Sequence, residues 1–145
     1  RGDYTIAGWE GHVSIERKSM NDAHGTFLGW SERRERFERE LEYLAGCECS
    51  AVVVECTRGQ LLASAPATTS RTPQQNAKSL QRTVISWESK YRVPFVFCDS
   101  RRMAEVDTFR RLQMFFRKKV DEAKQAASGR SKVDSNQVEE MLAKL

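Results

Sequence analysis

A chain of 145 residues, 39% hydrophobic and 30% charged, suits one domain with a real core and is too apolar for a disordered polymer. No apolar run approaches the roughly 20 residues that cross a bilayer, and no signal-peptide pattern is read in it. The net charge of +4, from 24 basic and 20 acidic side chains, permits a nucleic-acid partner without requiring one.

The chain opens at Arg1 without a methionine, so a further N-terminal segment is expected to precede it. Residues 3–7 (DYTIA) and 12–18 (HVSIERK) read as two strands joined through GWEG, where Gly8 and Gly11 serve the turn. After a loop, residues 31–46 (SERRERFERELEYLAG) form a helix. Ser31 caps it, Phe37, Leu41 and Leu44 make its apolar stripe, and Gly46 closes it. Glu32 with Arg36 and Glu35 with Arg39 are i,i+4 pairs on its wet face. The β-branched run AVVVEC, residues 51–56, is a strand covered on both faces.

Residues 59–70 read as a polar loop. Thr72 and Pro73 then open a helix that carries Ala77, Leu80, Val84, Trp87 and Tyr91. VPFVFCDS, residues 93–100, is another buried strand, and a long helix follows over about residues 101–122. From residue 124 the composition turns small and polar, predicting a linker and a short helix, QVEEMLAKL. The expected organisation is a domain over 1–123 and an appendage over 124–145. This order of elements predicts an α/β fold with a mixed sheet flanked by helices.

The four cysteines do not form a zinc pattern. Cys47 and Cys49 lack a second spaced pair, and His12 and His24 lie well upstream. Free thiols in a reducing, intracellular compartment are expected, with Cys56 and Cys98 ending apolar runs.

Alternation in the first hairpin puts Val13, Ile15 and Arg17 on one strand face and Ser14, Glu16 and Lys18 on the other. Antiparallel partners whose residue numbers total 19 set Asp3 opposite Glu16; a total of 21 sets it opposite Lys18. Opposed Cβ atoms lie about 4.5–5.5 Å apart, so either register gathers two carboxylates and an amine on one patch. Facing carboxylates repel unless a cation sits between them, and Mg²⁺ binds through one or two carboxylates while keeping waters. Lys18 there can orient water or stabilise charge developing on phosphorus. The same spacing also suits a Glu16–Lys18 ion pair on a solvated edge.

These residues, GDY followed by IERKSMND, resemble the GD…ERKxxxD motif of the XPF-type nucleases, a branch of the PD-(D/E)XK superfamily. Gly2 and Asp3, then Glu16, Arg17 and Lys18, then Asp22 match it, and the resemblance continues to about residue 119. It is greatest to compact stand-alone members of bacteria and phages. The resemblance implies a restriction-endonuclease-like core that cuts branched or structured DNA with Mg²⁺ or Mn²⁺. It implies Asp3 and Glu16 as metal ligands, Lys18 as the catalytic lysine, and Arg17 and Asp22 as supporting residues. Arg36 matches a basic position that reaches phosphate; pairing with Glu32 is the alternative. The family's acidic residue on a strand before the GD is not in this chain, nor is its tandem helix-hairpin-helix module.

From residue 101 to 124 there are eight basic side chains against four acidic ones, a surplus equal to the net charge of the chain. Arg110, Arg117 and Lys118 in this stretch are expected to track a DNA backbone, unless this is only a wet helix face. Met103, Val106, Phe109, Leu112, Met114, Phe115 and Phe116 exceed one narrow stripe, and related nucleases pair through late helices, so a homodimer is expected. Trp9 either stacks on a base or packs against the sheet edge. The function expected is metal-dependent DNA cleavage. A non-catalytic DNA-binding module and a purely structural partner subunit are the alternatives.

Overall fold

A computed structural model describes residues 2–29 and 32–144, with side-chain surroundings for all of these outside 130–135. The elements are β1 (Val13–Lys18), α1 (Met20–Phe27), α2 (Glu32–Ala45), β2 (Cys49–Val54), α3 (Arg58–Ala63), α4 (Pro73–Tyr91), β3 (Phe95–Phe97) and α5 (Arg101–Ala143). The chain divides into two compact units, Arg1–Leu112 and Gln113–Leu145. The expected cap Ser31 lies outside the described residues.

The fold of the first unit is α/β. Its three strands are parallel in the order β1-β2-β3, and helices link each strand to the next. Parallel sheets need both faces covered, and β2 has residues for both. Val52 and Val54 join Leu41, Leu44, Leu80 and Trp87 in the larger core, whereas Ala51 and Val53 join Ile15, Cys98 and Ala104 in the smaller one. Phe27, Phe37, Trp87 and Phe95 interlock in the larger core with ring centroids 5.2–6.4 Å apart.

The expected mixed sheet is not formed among the described residues. Residues 3–7 make a single antiparallel bridge, Tyr4 to Ile15, instead of a strand. The reason lies two residues further along. Val13 N donates to Trp9 O at 3.3 Å, so its amide is not free for the next rung, and the Thr5 hydroxyl occupies one acceptor site of Val13 O at 2.6 Å. Gly8 and Gly11, with φ of 84° and 82°, turn the chain back into β1. Trp9 meets the His12 ring edge-on at 5.6 Å.

Two short helices occupy stretches read as loops. Ser19 caps α1 by accepting from Asp22 N, and Thr57 forms a capping box with Gln60 at the start of α3. His24 Nε2 lies 2.9 Å from Leu61 O, tying α1 to α3. The helix α4 forms as expected, with the Thr72–Gln75 capping box and Pro73 in its first turn.

The helical assignment of α5 continues through the stretch expected to be a linker. Ala, Lys, Gln and Arg there are good helix formers, and Gly129 alone costs only about 1 kcal/mol. In the second unit Met114, Phe116, Val138, Met141 and Leu142 are exposed, and Arg117 and Lys118 are surface residues. No helix among the described residues is long and apolar enough to cross a membrane. Cys47, Cys56 and Cys98 are free thiols, and burial pushes those of Cys56 and Cys98 up.

Candidate functional site

The Tyr4–Ile15 bridge decides the register left open by the sequence. Its residue numbers total 19, so Asp3 falls opposite Glu16. Both backbone bonds of the bridge form, at 3.0 and 2.9 Å, and Asp3 Oδ2 accepts from Arg17 N at 3.1 Å. The aspartate that precedes the turn is thereby anchored beside the end of β1.

Alternation along β1 then separates the three charges of ERK. Glu16 and Lys18 point toward α2, where Lys18 Nζ lies 3.7 Å from Glu16 Oε1 and 4.9 Å from the centre of the Phe37 ring. Arg17 turns to the opposite face with Ile15. Its guanidinium reaches Glu55 at 2.7 Å, the Tyr4 hydroxyl at 2.9 Å and Glu105 at 3.5 Å, with the Tyr4 ring at 5.4 Å. A buried arginine requires such partners. Here Arg17 clamps β1 to the start of α5 and to the end of β2.

Glu16 is 4% exposed, which is unusual for a carboxylate. The structure adds a neighbour not anticipated from the sequence: the Glu40 carboxyl on α2 lies close to that of Glu16. Two neighbouring carboxylates repel each other unless one is protonated or a cation lies beside them. Burial first, then the charges of Asp3 and Glu40, push the Glu16 carboxyl up to about 8, with Lys18 opposing the rise. Oε2 of each glutamate is buried without a hydrogen-bond partner. Orphaned buried oxygens of this kind carry a desolvation penalty that a cation would relieve.

A cavity of about 280 Å³ opens beside this group, lined by Lys18, Asp22, Thr26, Arg33, Arg36 and Glu40 with the Phe37 ring. Arg36 faces it and makes no ion pair with Glu32 among the described residues. Asp22 on α1 is 3.6 Å from Arg33, which couples the motif's last aspartate to α2. The cavity is thus lined by two acids, Asp22 and Glu40, and three bases, Lys18, Arg33 and Arg36.

Not every expected residue joins this group. Arg110 lies on α5, whose Ala104 packs on the other face of the sheet, and it does not line the cavity. Arg117 and Lys118 belong to the second unit. Conversely, Glu40 and Arg33 were missed. Their signal was present: Glu40 lies three residues after Phe37 and next to Leu41, at the edge of the stripe that α2 buries.

Among the described residues no group of three His, Cys, Asp or Glu side chains is gathered to hold a metal. Two glutamates with buried, unpartnered oxygens do lie close together, and carboxylate oxygen is the ligand type that Mg²⁺ or Mn²⁺ takes. In comparisons with known proteins, no family model and no curated protein matches the chain.

Proposed function

We propose that the chain is a metal-dependent DNA endonuclease of the XPF type, with a restriction-endonuclease-like core, acting on branched or structured DNA. One observation carries this reading. Glu16 is buried with an unpartnered oxygen, close to Lys18 and to Glu40, which themselves line a cavity with Arg33 and Arg36. A pure DNA-binding module has no use for a buried, destabilising carboxylate, and that favours an enzyme over a binding module.

Asp3 and Glu16 are the residues that would hold Mg²⁺ or Mn²⁺, with the Glu40 carboxyl close to that of Glu16. When bound, the ion supplies positive charge to the phosphate and lowers the pKa of water. Lys18, held by Glu16 and by the Phe37 ring, donates to the attacking water or to a phosphoryl oxygen. Arg33 and Arg36 neutralise the phosphodiester as it enters, and Asp22 holds Arg33 in place. The reaction is hydrolysis by in-line attack of water on phosphorus, which releases one strand end as the leaving oxygen.

We further propose that the enzyme works inside the cell, at the nucleoid if it is bacterial or from a phage, and as a homodimer. Met103, Val106 and Phe109 leave an apolar stretch of the first half of α5 in solvent, with Phe109 64% exposed. The deciding experiment for the activity is a panel of labelled fork, flap, junction and linear DNAs incubated with Mg²⁺, Mn²⁺ or EDTA. Cleavage of a branched DNA that stops in EDTA is expected. Tight binding of DNA with no cleavage under any condition would replace the enzyme by the binding module.

A further inference from the structure

A second cavity, of about 180 Å³, lies on the far side of the last turn of α1. Its walls include Arg34 from α2, Thr68 and Arg71 from the loop before α4, and Arg82 from α4 itself. No acidic residue is among its lining. Three guanidiniums around one small space repel one another unless an anion sits among them.

Their present partners leave most of that charge uncompensated. Arg34 is the exception, fixed by Phe27 O at 3.3 Å, by Glu38 at 3.6 Å and by the Trp87 ring 5.1 Å away. Arg71 donates to the uncharged Gln75 O at 3.4 Å, and Arg82 makes no ion pair among the described residues. The loop that carries Arg71 is nevertheless held in place. An antiparallel bridge joins Thr68 to Arg71, and the buried Asn76 on α4 donates to Pro66 O at 2.8 Å. Arginines presented from a braced loop and a long helix form a receptor for a tetrahedral anion with little left to reorganise.

The two cavities are lined from the same two elements. Thr26 and Arg33 line the first, while their immediate neighbours Phe27 and Arg34 line the second. We propose that the Arg71–Arg82 cavity is a second phosphate subsite, which seats a backbone phosphate of the DNA strand whose scissile phosphate enters beside Lys18. This proposal rests on the nuclease reading and extends it from the point of cleavage to the path of the substrate. In this role Arg34 is the rigid wall, and Arg71 and Arg82 are the residues that touch the phosphate.

The test measures binding of a labelled forked DNA in EDTA, where no cleavage interferes, across a salt series. For the double variant R71A/R82A, affinity is expected to fall roughly ten- to a hundredfold at low salt. The slope of log affinity against log salt should become shallower by about 0.7–0.9 for each phosphate that the variant no longer neutralises. Lys78 lies on α4 outside the cavity lining, so K78A serves as the control for general surface charge. An equal loss for K78A, or unchanged affinity and slope for R71A/R82A with an unaltered thermal midpoint, overturns the subsite. Should the double variant unfold, the single R82A carries the same comparison with one arginine removed. The two readings fail separately: affinity lost through Arg71 and Arg82 in a protein that cleaves nothing refutes the nuclease alone. Cleavage by a protein indifferent to both substitutions refutes the subsite alone.

Discussion

Glu16 on β1 and Glu40 on α2 bring their carboxyls close together, and Oε2 of each is buried without a hydrogen-bond partner. Lys18, 3.7 Å from Glu16, is the cation that reaches the inner part of this group. The pair is therefore comfortable only with a shared proton or with an added cation. Each state has measurable consequences.

The proton state sets a pH dependence. Because the folded-state pKa of Glu16 is raised to about 8, its protonated form stabilises the fold. That contribution is complete below the ordinary carboxylate range and is lost as pH climbs from there through about 8. In EDTA, wild-type stability should fall by up to about 5 kcal/mol across this window from this group. Glu16→Gln, which mimics the protonated acid, should flatten the fall. Urea unfolding at a series of pH values checks it; a Glu16→Gln curve parallel to wild type would contradict the assignment.

The cation state predicts stabilisation by metal without reference to activity. Mg²⁺ should raise the thermal midpoint of the wild-type protein, and more so at pH 8 than at pH 6, because the ion must displace the shared proton. Glu16→Gln should abolish both this rise and DNA cleavage while leaving DNA binding in place. Glu40→Gln should remove the neighbouring negative charge and weaken Mg²⁺ binding about tenfold or more. Equal Mg²⁺ responses in all three proteins would remove the ion from this site.

Lys18 and Arg17 are adjacent in sequence and opposite in role. Lys18→Met is expected to slow cleavage at saturating DNA by about a hundredfold or more, with a stability change under about 1 kcal/mol. Arg17→Met leaves Glu55 unpaired, with its side chain only 17% exposed, and should destabilise the fold by roughly 2–4 kcal/mol. Rates at saturation together with urea midpoints separate the two. Loss of cleavage in Arg17→Met at unchanged stability would mean that the face assignment fails in solution.

Self-association is tested at Phe109, whose exposure lets it change without disturbing the core. Phe109→Glu should convert a dimer into a folded monomer in sedimentation velocity, with the thermal midpoint altered only through dissociation. A wild-type protein that sediments as a monomer at all concentrations would dispose of the homodimer.

What the sequence determined by itself is what depends on neighbours a few residues apart. Period-two alternation assigned Glu16 and Lys18 to one face of β1 and Arg17 to the other. The Thr72–Pro73 start of α4 and the Phe37–Leu41–Leu44 stripe of α2 were legible for the same reason, since caps and helical stripes are local. The short helices α1 and α3 were not, because their few buried residues, Ala23, Thr26 and Phe27 in one and Leu61 in the other, give too few turns to show a period. Neither could alternation foresee that Val13 N would donate to Trp9 O and end the first hairpin after one rung. Only the tertiary structure brought Glu40 against Glu16, and Arg71 near Arg34 and Arg82. Those pairings are set by how α2 and α4 pack on the sheet. Side-chain spacing along a chain carries no information about which distant face it will meet.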